Sequence, residues 1–180
     1  MRSHRRKTYK KKRLRGALLR LIPFILFCGA IWYSSSQTYE QQSLIPILDR
    51  ITSKELFRDQ LNWIEFTYAG SVVSIDAKGY AGFVEFFLRK GAHVGFFFMI
   101  GLFLSSFLHY VYSRLLVSSA ATFLFLLFFA SLDEYRQYLT GGRTPLIQDV
   151  LLDMAGGILA IVVYSIYRYR KSKGILKKYV

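Results

Sequence analysis

Cysteine occurs once in these 180 residues, at Cys28, so neither an internal disulfide nor a cysteine-cluster metal centre can form. Histidine is nearly as scarce, with three copies, which leaves little for a histidine-rich site. The chain has no GxSxG elbow, no Walker loop and no HExxH pair, so the commonest signatures of hydrolases, nucleotide-binding enzymes and zinc proteases are missing. Internal repeats are absent too. Acidic residues number 11 against 25 Lys+Arg, for a formal net charge of +14. An acid-rich disordered chain is thereby excluded.

What the chain does hold is apolar and aromatic. Hydrophobic residues make up 53% of it, and 16 Phe with 13 Tyr raise the aromatic share to 17%. A soluble domain of this size has too little interior to hide that much apolar surface. Hydrophobicity combined with strong basicity points to a membrane protein whose charges are segregated by side.

The first fifteen residues carry nine Lys/Arg and no acid. Such a block stays solvated and in other settings binds nucleic acid. Here an apolar run follows at once, broken only by Arg20, which is long enough to snorkel. No nucleic-acid partner is therefore expected, and the block reads as a cytoplasmic anchor on the lipid bilayer. Apolar stretches cover residues 17–33, 91–110, 115–132 and 147–167, each close to the ~20 residues that cross a hydrocarbon core. The expected fold is all-α, a polytopic bundle of four transmembrane helices (residues 17–167) between basic tails at 1–16 and 168–180, with an extracytoplasmic loop over 34–90.

Charge sets the expected orientation. With the N-terminus cytoplasmic, residues 1–20, Arg114 and the tail from Arg168 place 17 basic residues and no acid inside. All 11 acids then fall outside, as the positive-inside rule prefers. Residues 17–33 followed by Ser34-Ser35-Ser36 also have the form of a secretory signal peptide. Retention as a true span is the expectation, and Phe27 before Cys28 fits a lipoprotein signal poorly. In the loop, Leu56, Leu61 and Ile64, with Trp63 and Phe66 nearby, roughly suit an interfacial amphipathic helix. Residues 68–79 combine turn residues with a short β-branched run, as in a small hairpin.

Three polar islands interrupt the apolar pattern, all near the expected outer face: Arg89-Lys90-Gly91-Ala92-His93, Asp133-Glu134-Tyr135-Arg136-Gln137, and Gly142-Arg143 with Asp149 and Asp153. Ionisable groups at membrane depth are costly and usually face the bundle interior. Arg89 and His93, Asp133 and Gln137, and Asp149 and Asp153 are each spaced i,i+4, on one side of a helix. Asp153 lies six residues into its span, about 9 Å deep at 1.5 Å per residue. Gly156 or Gly157 and Ala160 continue that face with small residues, a surface on which another helix packs closely. Thr144-Pro145 has the form of an N-cap and first helical position beside Arg143, an expected anion seat.

The candidate polar pocket thus comprises Arg89, Lys90, His93, Asp133, Glu134, Gln137, Arg143, Asp149 and Asp153. One account of it is structural, with the charges neutralising one another and locking the bundle. A second places a divalent cation on His93 with Asp133, Glu134, Asp149 or Asp153, but no recognised ligand spacing supports it, so no metal and no cofactor are expected. A third is acid/base chemistry on a lipid-linked or cell-wall precursor, with His93 or Glu134 as base and Arg143 holding a phosphate. Ligand or partner binding without chemistry is the fourth. His4 and His109 sit in the basic tail and at the cytoplasmic end of the second span. Tyr110, Tyr112, Tyr135, Tyr164 and Tyr167 fall where interfacial aromatic belts fall.

Taken in order, Ser34-Ser35-Ser36-Gln37, Arg89-Lys90-x-x-His93, Asp133-Glu134-x-x-Gln137, Gly142-Arg143 and Asp149-x-x-x-Asp153-x-x-Gly156 resemble the VanZ-like family, over residues 30–165. The resemblance implies a small multi-span bacterial membrane protein. The founding member of that family is linked to low-level teicoplanin resistance in Gram-positive bacteria. The implied function is an envelope factor that lowers glycopeptide or lipoglycopeptide access at the cell surface. The family has no settled biochemical activity, so a membrane enzyme or a scaffold for a partner protein stand as alternatives. The loop over 38–88 is longer than a minimal member needs.

Overall fold

Among the described residues of the computed structural model, four helices are long and apolar enough to cross a membrane. The structure describes residues 2–38, 40–51, 55, 57–141 and 146–176. In chain order the elements are α1 (Arg2–Ser34), α2 (Ile45–Ile51), α3 (Arg58–Leu61), β1 (Phe66–Tyr68), β2 (Ser71–Val73), α4 (Ile75–Tyr112), α5 (Leu115–Gly141) and α6 (Ile147–Leu176). The membrane-length segments are Leu14–Ser34, Ile75–Tyr112, Leu115–Thr140 and Ile147–Lys173. Arg143, with Gly142, Thr144 and Pro145, lies outside the described residues, as does Leu56.

The helices alternate in direction. Arg20 of α1 bonds Ser106 of α4, and Phe27 packs on Phe96 and Phe103, so α1 and α4 run antiparallel. Ser105 bonds Thr122 at 3.3 Å and Phe97 meets Phe129, which makes α5 antiparallel to α4 as well. Glycine brings α4 and α6 together in parallel. A Cβ on Gly156 would collide with the Val94 carbonyl, and one on Gly101 would lie 3.0 Å from Ala160 Cβ. Small residues at these positions allow the backbones to approach as membrane helices prefer. Phe97, Ile100, Leu126 and Ala130 fill the dry centre. Leu124, Phe128, Leu151 and Leu159 point outward, as lipid-facing side chains should.

Arg20 is also bound within the protein. Its Nε donates to Ser106 Oγ at 3.1 Å, and its guanidinium lies 4.6 Å from the Tyr110 ring centre. Tyr164, expected in an interfacial belt, is buried against His109.

The segment before α4 forms a lid with its own small core. Residues 66–73 make a hairpin, with Phe66 opposite Val73 and Tyr68 opposite Ser71. It overlaps only the first half of the 68–79 stretch where one was expected, the residues from Ile75 on being helical. Ala69 and Gly70 both adopt positive φ at its turn, the geometry a two-residue hairpin loop requires. Val73, Ile75, Tyr80 and Phe83 are buried together, with Leu61 and Ile64 packed on them. Two details differ from the sequence reading. The amphipathic helix expected near residues 56–66 is a single turn, Arg58–Leu61, because Phe66 belongs to a strand. α4 begins at Ile75, well before the apolar stretch at Gly91. Ser74 caps it by accepting from the Ala77 N–H, and Gly79 kinks it at φ 70°, a conformation glycine adopts without steric cost.

Candidate functional site

The alternation of helix directions brings the end of α1, the first half of α4, the end of α5 and the start of α6 to one end of the bundle. There the i,i+4 pairs of the three spans converge on a cavity of about 570 Å³. Arg89, Lys90, His93, Glu134, Gln137, Asp149 and Asp153 all line it. Asp133 stands behind the wall, 1% exposed. Eight of the nine candidate residues therefore gather in one place, and the ninth, Arg143, is not among the described residues.

The charges are layered. At the rim, Lys90 Nζ approaches Asp149 Oδ1 at 2.5 Å, and the Tyr68 hydroxyl donates to the same oxygen at 2.5 Å. The ammonium also lies 4.9 Å from the Tyr68 ring centre, within cation–π range. Burial first, then the Asp149 carboxylate, pushes the Tyr68 phenol well above the ordinary tyrosine range. It therefore remains a donor at neutral pH.

Toward α1, Arg89 pairs with Glu85 at 3.2 Å and donates to Gln42 Oε1 at 3.2 Å. Glu85, 1% exposed, also accepts the Leu44 N–H at 2.6 Å, so one carboxylate ties the chain before α2 to the wall of α4. Gln42 bonds the Ser34 carbonyl at the end of α1.

At the floor, His93 Nδ1 lies 3.4 Å from Asp153 Oδ1. Asp133 Oδ2 accepts from Gln137 Nε2 at 2.9 Å, the i,i+4 pair anticipated on α5. Glu134, mostly buried, accepts the Leu146 N–H at 2.7 Å. It thus serves the backbone just before α6, where the sequence reading looked to Thr144. Arg136, the cation of this island, sits over Trp32 with 3.8 Å between guanidinium carbon and ring centre.

Tyr68, Gln42 and Glu85 were missed in the sequence. Glu85 was within reach, since it precedes Arg89 by four residues on one helix face. Tyr68 and Gln42 act across 81 and 47 residues of chain, and no local spacing announces such contacts. The cavity carries fixed charges of both signs, hydroxyl and amide donors, and an imidazole beside a carboxylate. Such a lining can hold a polar head group that itself bears both signs, and it can move a proton at His93.

A family model described as VanZ/LLP1 matches residues 20–168, which takes in every described wall of this cavity. No curated protein and no solved structure gave a match to the sequence.

Proposed function

We propose, from the premise that this chain belongs to the VanZ/LLP1 family as a multi-pass membrane protein, that its cavity faces outward and lowers glycopeptide access at the cell surface. The observation that carries the reading is the gathering of Lys90, Asp149, Glu134, His93 and Asp153 around one open cavity at a single end of the bundle. In the topology read from the sequence, the opposite side takes 17 of the 25 basic residues and none of the 11 acids. That asymmetry supports cytoplasmic termini and an outer position for the cavity. A polar concavity beneath a small lid suits capture of a head group from the outer leaflet or the wall, teicoplanin-type drugs being what it keeps away. Function resides in the site, so the family gives the setting and the residues give the test.

The test is surface binding of a fluorescent teicoplanin-type drug to live Gram-positive cells lacking the protein, carrying it, or carrying Glu134→Gln. Gln keeps an oxygen for the Leu146 N–H, so the variant removes charge while retaining the backbone contact. Wild type lowers binding, and Glu134→Gln restores it toward the protein-free level at equal membrane abundance. Equal binding by all three strains overturns drug exclusion.

A second reading, an enzyme acting on a lipid-linked or cell-wall precursor, is favoured by the His93–Asp153 pair. A carboxylate beside Nδ1 fixes the imidazole's orientation as a base. Radiolabelled lipid extracts whose composition changes on deletion of the protein support it, and unchanged profiles count against it.

A further inference from the structure

The floor of the cavity has an imbalance the rim lacks. Asp133 and Asp153, 1% and 4% exposed, lie within membrane-length helices. No Lys or Arg stands within ion-pair distance of either among the described residues. Lys90 is committed to Asp149 and Arg89 to Glu85. Two carboxylates buried in a bundle interior without a cationic partner are costly, and one histidine can offset at most one of them.

The donors are also arranged around a point. One ligand atom each from His93, Asp133 and Asp153 lies within 4.8 Å of the other two. With metal–ligand bonds of about 2.0–2.2 Å, two donors on one ion stand about 3.0–3.5 Å apart. The His93–Asp153 pair at 3.4 Å already has that separation, and the widest pair needs to close by roughly 1 Å. Independently of this clustering, Asp133 holds one oxygen in place and leaves the other uncommitted. Oδ2 is fixed by Gln137, while Oδ1, fully out of solvent, makes no hydrogen bond of normal geometry among the described residues, the Ser35 hydroxyl being the donor beside this carboxylate. A buried acceptor left open is rare unless something fills it. Ser35 Oγ, from the end of α1 beside Asp133, is likewise buried without a bond of normal geometry.

We propose that His93, Asp133 and Asp153, one from each of α4, α5 and α6, bind a single divalent transition-metal cation at the floor of the cavity. One imidazole nitrogen and two carboxylates select zinc- or manganese-type ions over calcium and magnesium, which prefer all-oxygen shells. Gln137 is the outer partner that orients Asp133. Three protein ligands leave at least one coordination position open, and His93 and Asp153 face the cavity, so water or an anionic head group completes the shell from there. The ligands are separated by 40 and 20 residues, which is why no metal motif is visible in the sequence. The site stands apart from drug exclusion, and its test uses no phenotype.

Full-length protein is purified in detergent with a tag other than polyhistidine, stripped with chelator, and titrated with Co²⁺ as a spectroscopic probe, then with competing Zn²⁺. Wild type gives saturable visible bands with one ion per chain, displaced by Zn²⁺. Asp133→Asn and Asp153→Asn each weaken binding at least about 100-fold, and Gln137→Leu weakens it roughly tenfold. Asp149→Asn, in the same cavity but outside the triad, stays within about twofold. Absence of saturable Co²⁺ or Zn²⁺ binding by wild type overturns the site. So does an Asp149→Asn loss equal to that of Asp133→Asn, which would mark a diffuse acidic surface. X-ray absorption of the Zn²⁺-loaded wild type needs no variant to fold: imidazole scattering with oxygen neighbours sustains the proposal, and an all-oxygen shell overturns it.

Discussion

At the cavity rim, Lys90 and Asp149 meet at 2.5 Å with 25% and 18% of their side chains exposed. One helical turn deeper on the same two helices, His93 and Asp153 approach only to 3.4 Å, and Asp133 behind them makes no ion pair with a Lys or Arg among the described residues. Helix register is identical at the two levels, since Lys90 and His93 follow one face of α4 and Asp149 and Asp153 one face of α6. What changes is access to water. A lysine at the rim keeps its ammonium partly hydrated while it pairs, with the Tyr68 and Phe86 ring centres 4.9 and 5.9 Å away. At the floor a smaller, neutral-capable cation former stands instead, and the carboxylates outnumber it. The rim neutralises itself, while the floor is left short of positive charge.

Both levels depend on how closely α4 and α6 approach, so the largest effect comes from separating these helices. Gly156→Ala drives a methyl group into the Val94 carbonyl, a backbone atom that cannot turn aside. The helices must part, at a cost of roughly 3 kcal/mol, and Lys90–Asp149 and His93–Asp153 open together. Gly95→Ala, one residue from Val94 on α4, meets nothing within 4 Å, and its effect stays within about 0.5 kcal/mol. Unfolding of the two variants by SDS in mixed micelles checks this, and equal losses would mean that Gly156 does not set the spacing.

This contact was partly legible in the sequence. Gly156, Gly157 and Ala160 stood out as a small-residue face below Asp153, but their partner on α4 did not. Four spans could be read because about twenty apolar residues in a row have few other uses. Pairings within a helix were readable for the same geometric reason, and Asp133–Gln137 at 2.9 Å is the example. Contacts between helices were not, because register across a bundle is set by side-chain volumes far apart in sequence. Tyr68 meeting Asp149 across the lid is one such case, and Asp133 turning an oxygen toward His93 and Asp153 is another. Loop residues gave the least. The β-branched run marked a hairpin in roughly the right place but not its strand ends, while the amphipathic pattern at Leu61 and Ile64 serves to pack the lid on Phe83 and Val73.

A double-mutant cycle sharpens the rim–floor contrast with a smaller effect. Lys90→Met and Asp149→Asn, alone and together, should give a coupling of about 1 kcal/mol, as expected of a partly exposed pair. Adding Zn²⁺ should leave that coupling unchanged, because neither residue belongs to the proposed cation site. The same cycle on His93 and Asp153 should become metal-dependent. A rim coupling that moves with Zn²⁺ as much as the floor coupling would erase the distinction between the two levels.

The smallest effect concerns the lid. Tyr68→Phe keeps the ring that packs on Phe86 and faces Lys90 but deletes the hydroxyl donated to Asp149. Asp149 retains its lysine, so only one hydrogen bond to a charged but still partnered carboxylate is lost, and the cost is roughly 0.5 kcal/mol. The more telling readout is local. Hydrogen exchange at the backbone amides of Val72 and Val73 should quicken in Tyr68→Phe, while exchange at Phe97 and Ile100 in the bundle centre stays as in wild type. That pattern would make the Tyr68 hydroxyl the latch between lid and cavity. Unchanged exchange in the hairpin would mean instead that the lid is held by its own apolar core, Val73, Ile75, Tyr80 and Phe83, and that the rim pair closes the cavity without it.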